Sequence, residues 1–184
     1  MTRGGLTRIV AAGIAFVTGA CEGGLSDGSP QSHISPDSAV IERVRQQYSS
    51  IERESPRYRQ VERTLIGYAT NGGGMVAFFA DTTLRKIEAL FLARSSQTTQ
   101  TMYYWNGALV FVHREIARFD RPGSGIVAST GKELFFFSNG KLVRSVGDDG
   151  LLRPVDDALA RSQTEELQRM ARSLAEVART PKRP

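Results

Sequence analysis

The sequence holds one cysteine, Cys21, and two histidines, His33 and His113, in 184 residues. A lone cysteine cannot close an internal disulfide, and with two histidines it supplies too few ligands for a zinc or iron–sulfur site. No metal and no cofactor are expected. Long apolar runs are also lacking: the longest uncharged apolar stretch, Ile9 to Val17, falls short of the roughly 20 residues that span a bilayer. Lysine is sparse, because 20 of the 24 basic residues are arginine, and these are interspersed with 19 acids rather than gathered into a stripe. A net charge of +5 spread in this way is not the footprint of a nucleic-acid binder. What is present, 40% hydrophobic and 23% charged residues, excludes wholesale disorder and suits one domain of this length.

The N-terminus carries a targeting pattern. Arg3 and Arg8 form a positive region, Ile9 to Val17 (IVAAGIAFV) an apolar one, and Thr18, Gly19 and Ala20 lead directly to Cys21. This resembles a bacterial lipoprotein signal, with Thr18 standing where Leu, Val or Ile is usual. The resemblance implies cleavage between Ala20 and Cys21, a diacylglycerol thioether on Cys21 and further acylation, by palmitate or a similar chain, of its new amino group. Two or three acyl chains make a lasting anchor where one holds only marginally. The lipid bilayer is then the first partner, through Cys21. Glu22, where an Asp would favour inner-membrane retention, leans towards the periplasmic face of the outer membrane. Residues 1–20 are thus expected to be a signal peptide, and residues 21–36, rich in Gly, Ser and Pro, a flexible tether. A single domain over 37–178 and a disordered tail over 179–184 complete the expected organisation.

Within the domain the period changes twice. Ser35 as N-cap, Pro36 at the first helical position and apolar Ile41, Val44, Tyr48 and Ile51 predict a helix ending before Ser55-Pro56. Val155 to Ala178 repeats the pattern at Leu159, Leu167, Met170, Leu174 and Val177. Between the helices the period is two, which predicts strands over Arg59–Thr70, Met75–Ala80, Leu84–Ala93, Met102–Trp105, Ala108–Arg118, Leu134–Ser138 and Lys141–Val146. Arg94 to Gln100 reads as a polar loop, and Phe119 to Thr130 as a long hairpin loop. Asn106-Gly107 and Asn139-Gly140 suit two-residue hairpin turns, whose central residues both need positive φ. The expected fold class is α+β: a curled antiparallel meander of about seven strands flanked by an N-terminal and a C-terminal helix. Leu159, Met170 and Leu174 are expected to pack on the aromatic strands.

The two Asn-Gly hairpins align as Tyr103-Tyr104-Trp105-Asn106-Gly107-Ala108-Leu109-Val110 and Phe136-Phe137-Ser138-Asn139-Gly140-Lys141-Leu142-Val143, a degenerate internal repeat. Together with the Gly-rich turn Asn71–Gly74 and the Asp120-Arg121-Pro122 loop, this layout resembles uncharacterised bacterial envelope lipoproteins. The likeness covers about Arg59 to Val146, and the family has no assigned activity to carry over.

Motifs for catalysis fail on their chemistry. Gly125 to Lys132 (GIVASTGK) has the wrong spacing for a phosphate-binding loop, and Glu133 stands where a magnesium-ligating hydroxyl is needed. Ser129-Thr130-Gly131-Lys132 lacks the companion motifs of penicillin-recognising enzymes. His113 and Glu115, on one face of a strand, are the sole acid/base pair that can be assembled. No enzyme is expected, and no catalytic residue is assigned. The leading expectation is a non-catalytic envelope lipoprotein, a binding or structural module that engages a protein, peptide or polymer in the periplasm. The alternatives are a carrier or sensor of an apolar ligand in a cup lined by Tyr103, Trp105, Phe111, Phe135 and Phe137 and, more remotely, an unrecognised hydrolase.

Overall fold

Pro36 opens the first helix as its sequence predicts, and from there the chain builds an antiparallel sheet between two helices. The structure, a computed structural model, describes residues 36–181. The signal segment 1–20 with Ala20, the acylation position Cys21, the tether as far as Ser35 with His33, and residues 182–184 lie outside the described residues. The elements run α1 (Pro36–Glu54), a single 3-10 turn (Ser55–Arg57), β1 (Arg59–Thr64), β2 (Gly73–Ala80), β3 (Thr83–Leu92), β4 (Ser96–Trp105), β5 (Ala108–Phe119), β6 (Val127–Ser138), β7 (Lys141–Val146), β8 (Leu152–Arg153) and α2 (Ala158–Arg179). The eight strands stand in sequence order and every neighbouring pair is antiparallel. Short turns leave the chain no other option, since a parallel neighbour needs a long crossover. The fold class read from sequence is therefore correct, with one strand more than expected.

The bounds of four elements are corrected. Residues Ser96–Gln100, read as a loop, are the first half of β4, and Val127–Glu133 are the first half of β6, so the long loop shrinks to residues 120–126. The first strand stops at Thr64, because Leu65 to Gly72 forms an irregular connection in which Asn71 N donates to Leu92 O and Leu92 N donates to Gly72 O. The second helix starts at Ala158, since Asp157 accepts a hydrogen bond from Ala160 N at 2.7 Å and so serves as the cap. It runs through Arg179, one residue into the segment expected to be a tail.

The hairpin turns match expectation. Asn106 and Asn139 both have φ 50°, and Gly107 and Gly140 have φ 79° and 73°, the left-handed pair that a two-residue turn requires.

Successive residues of each strand face opposite ways, and the two helices take one face each. Ile41, Val44 and Ile51 of α1 pack with Tyr103, Val110, Phe111 and Phe136, and Tyr48 stacks on Phe111 with centroids 4.5 Å apart. On the other face Leu167, Ala171, Leu174, Ala175 and Ala178 of α2 pack with a larger set that includes Ile87, Met102, Tyr104, Val112, Phe135 and Phe137. The run Phe135-Phe136-Phe137 is apolar throughout because it feeds two cores in alternation. Of the three α2 residues expected on the aromatic strands, Leu174 is fully buried and Met170 packs against the core, but Leu159 is 67% exposed. The buried stripe includes Ala160, and Leu159 is turned about 100° from it.

Candidate functional site

The strands are longer than the helices are wide, and this decides what remains open. A strand of 12 residues, such as β5, extends about 40 Å, whereas a helix lying across a sheet shields about 10 Å of it. The register places side chains on the α1 face in rows across the strands. Phe78, Lys86, Tyr103, Phe111 and Phe136 form the row beneath α1. The next row holds Glu62, Val76, Glu88, Thr101, His113 and Leu134, and the one beyond it Thr64, Gly74, Leu90, Thr99, Glu115 and Lys132. Over these outer rows lie two hollows, one of about 820 Å³ above β1 to β4 and one of about 470 Å³ above β4 to β6, which meet at Gln97 and Thr99. Together they form an open trough, mixed in polarity, across six strands.

Lys86 marks the border between the covered and open parts. Its side chain is 4% exposed, with Nζ 3.1 Å from Glu52 Oε1 on α1 and 2.8 Å from Glu88 Oε1 in the open row, and it lies 4.3 Å from the Phe78 ring centre. Glu52 also accepts a hydrogen bond from Tyr103, whose phenol is pushed well above its ordinary range, by burial first and by that bond second. Sequence reasoning missed this cluster. A lysine alternating with apolar residues on a strand reads as solvent-facing, and only the docking of α1 buries it.

His113 and Glu115 share the α1 face, and of the two Glu115 lines the trough. His113 Nε2 is 3.3 Å from Glu115 Oε1, yet that nitrogen has no hydrogen-bond partner in the protein, so the approach is sidelong. Burial, with the Lys132 ammonium adding, holds the imidazole below its ordinary pKa, and Glu115 only partly offsets this. Lys132 Nζ lies 3.8 Å from Glu115 Oε1 and competes for the same carboxylate. The imidazole thus stands beside a carboxylate that a lysine also approaches. Among the described residues no three His, Cys, Asp or Glu side chains are grouped to hold a metal ion.

The five aromatic residues expected to line a cup do not share a face. Tyr103 and Phe111 are buried in the α1 core, with Trp105 partly buried against it under the Arg85 guanidinium, while Phe135 and Phe137 belong to the α2 core. Strand alternation separates them: Tyr103 and Phe111 are register partners of one row, whereas Phe135 is the partner of Val112. The Gly125–Lys132 segment passes directly into β6, so no helix N-terminus follows it, and Ser129 and Lys132 take opposite faces of that strand.

A second concavity lies elsewhere. Where the hairpin turns reach α2, a groove of about 770 Å³ opens between Thr82–Leu84, Gly107–Leu109, Gly140 and the helix. Compared with known proteins, the chain matches no family model, no curated protein and no solved structure.

Proposed function

We propose that this protein is a membrane-anchored bacterial envelope lipoprotein, held by an acylated Cys21 and facing the periplasm, whose folded part is a non-catalytic module that binds a polypeptide partner. The anchor reading rests on the sequence Arg3 to Cys21. The described helices fit that division of labour, since none is long and apolar enough to cross a membrane. The binding reading is carried by one observation, the uncovered outer half of the α1 face. The covered row is aromatic apart from Lys86, whereas the open ones mix Glu62, Glu88, Thr99, Thr101, His113 and Glu115 with Val76 and Leu90. Mixed apolar and hydrogen-bonding surface of this kind is what a non-obligate protein interface presents.

Metabolic labelling with a fatty-acid analogue should mark the wild type and not Cys21→Ser, and Cys21→Ser should leave the membrane fraction. An unlabelled wild type overturns the anchor. For the binding face, a photoreactive side chain at Thr99 should crosslink to one defined polypeptide in intact cells, while the same probe at exposed Arg169 on the outer side of α2 should not. Indistinguishable patterns from the two positions overturn the assignment of the trough.

A further inference from the structure

The groove between the hairpin turns and α2 has the composition of a ligand site. Its helical wall is the stripe Gln168, Arg172, Ala175 and Arg179, at spacings of four, three and four, so all four project along one side of α2. Two of them are arginines, and no acidic side chain lines the groove. Its floor is apolar: Leu84, Tyr104, Ala171 and Ala175 are each buried, with Leu109 partly exposed above them. The helix offers only the small side chains of Ala171 and Ala175 to this part of the lining. Tyr104 donates its hydroxyl to Ala171 O at 3.0 Å and closes the inner end. Its phenol is raised by burial and drawn partly back by Arg179, which places that guanidinium within electrostatic reach of the floor. Gln168 donates to Gly140 O and ties the helix to the β6–β7 hairpin.

We infer that this groove binds an amphiphilic anion: an acyl chain against Leu84, Tyr104 and Leu109, and a carboxylate or phosphate headgroup between Arg172 and Arg179. Charge complementarity commits the site to an anion, because its only ionised lining groups are guanidinium ions, which hold carboxylate or phosphate through paired N–H donors. The apolar floor commits it to a ligand with a hydrocarbon body. A volume of about 770 Å³ falls within the ordinary range for small-molecule sites. The site lies across the sheet from the trough and stands independently of the function proposed above.

The experiment is calorimetric titration of the folded protein, below the micelle concentration, with dodecanoate, dodecyl phosphate, dodecyltrimethylammonium and inorganic phosphate. Saturable one-to-one binding of either anionic amphiphile, and not of the cation or of free phosphate, is expected. Whichever of the two binds more tightly identifies the headgroup. Arg172→Glu with Arg179→Glu should weaken binding at least tenfold, and Ala108→Trp, at an exposed position on the rim, should block it. Arg169→Glu, on the outer side of the helix, should leave it unchanged. Amide shifts on titration should centre on Gly107 and Gly140 in variants whose melting temperature matches the wild type. Equal binding of cation and anion, binding of inorganic phosphate as tight as that of dodecyl phosphate, or unchanged affinity in the double arginine variant would overturn the inference.

Discussion

Lys86 offers the sharpest test of how α1 is held, because its two carboxylate partners and its own burial make opposite substitutions unequal. At an effective dielectric of about 20, charges about 3 Å apart attract by about 5 kcal/mol each. That gross figure is reduced by the exposure of the carboxylates, since Glu52 and Glu88 are each 44% exposed while the lysine is 4% exposed. Removing both carboxylates with Glu52→Gln and Glu88→Gln strands a buried ammonium against Phe78. The two glutamines still accept hydrogen bonds, so the loss is chiefly of charge and should be about 3 kcal/mol. Lys86→Met, in contrast, keeps the volume and a favourable contact with the Phe78 ring and leaves two carboxylates that turn into water, at a cost of about 1 kcal/mol or less. Urea denaturation of the three proteins gives the comparison directly. If Lys86→Met proves as destabilising as the double glutamine variant, the lysine is not held as a buried cation and the account of the α1 border is wrong.

Two further outcomes follow from particular residues. Gly140→Val should lower stability by about 1–2 kcal/mol, because φ 73° forces a β-branched residue into the left-handed region, while Gln168 is the nearest group and leaves space; an unchanged melting temperature would contradict the turn assignment. For His113 the folded pKa lies below the ordinary 6.5, so the unfolded chain binds the proton first. Its contribution to stability is full above about pH 6.5 and is lost as pH falls through the lower folded value. His113→Gln should flatten that part of the pH–stability curve, and an NMR titration midpoint at or above 6.5 would rule the burial argument out.

The turns and the helices were legible in the sequence because each is specified locally. Asn-Gly pairs dictate positive φ whatever surrounds them, and the period of Ile41, Val44, Tyr48 and Ile51 is visible without a partner. In two strands, β4 and β6, length was legible only at the covered end. In β4 the covered end, Met102-Tyr103-Tyr104, reads as a strand, while Ser96 to Gln100 is polar and reads as a loop. In β6 Val127 to Thr130, ending in Ser129-Thr130, likewise reads as loop, and Gly131 to Glu133 carry no strand signal. A strand signal built on hydrophobic alternation fades where no helix demands an apolar face, so part of the trough lining, Gln97, Thr99 and Thr130 to Lys132, comes from stretches whose strand character the sequence conceals. The aromatic cup failed for the complementary reason. Tyr103, Phe111, Phe135 and Phe137 are apolar enough for a ligand site, but alternation distributes them between two helices that bury them all.

The same two-part composition predicts a gradient of stability along the strands. At the turn end, β5 and β6 are clamped between α1 and α2, and opening them exposes Phe111, Val112, Phe135, Phe136 and Phe137 together. At the far end, Val127 to Glu133 has β5 on one side only, because β7 pairs with β6 from Leu134 onward. What holds that end is a backbone ladder, the Arg114–Glu133 pair at 3.1 Å and the exposed Arg118–Asp148 pair at 3.1 Å, which together release far less apolar surface on opening than the aromatic end. Local opening follows the apolar area exposed, so the far end should open without the near one. Hydrogen exchange followed by mass spectrometry should show peptides covering 127–132 exchanging at least tenfold faster than those covering 133–138, equivalent to about 1.4 kcal/mol of opening free energy. Uniform protection along β6 would mean that the open half of the sheet is covered in solution, by a second copy or by a segment outside residues 36–181, and that the trough is not a free surface.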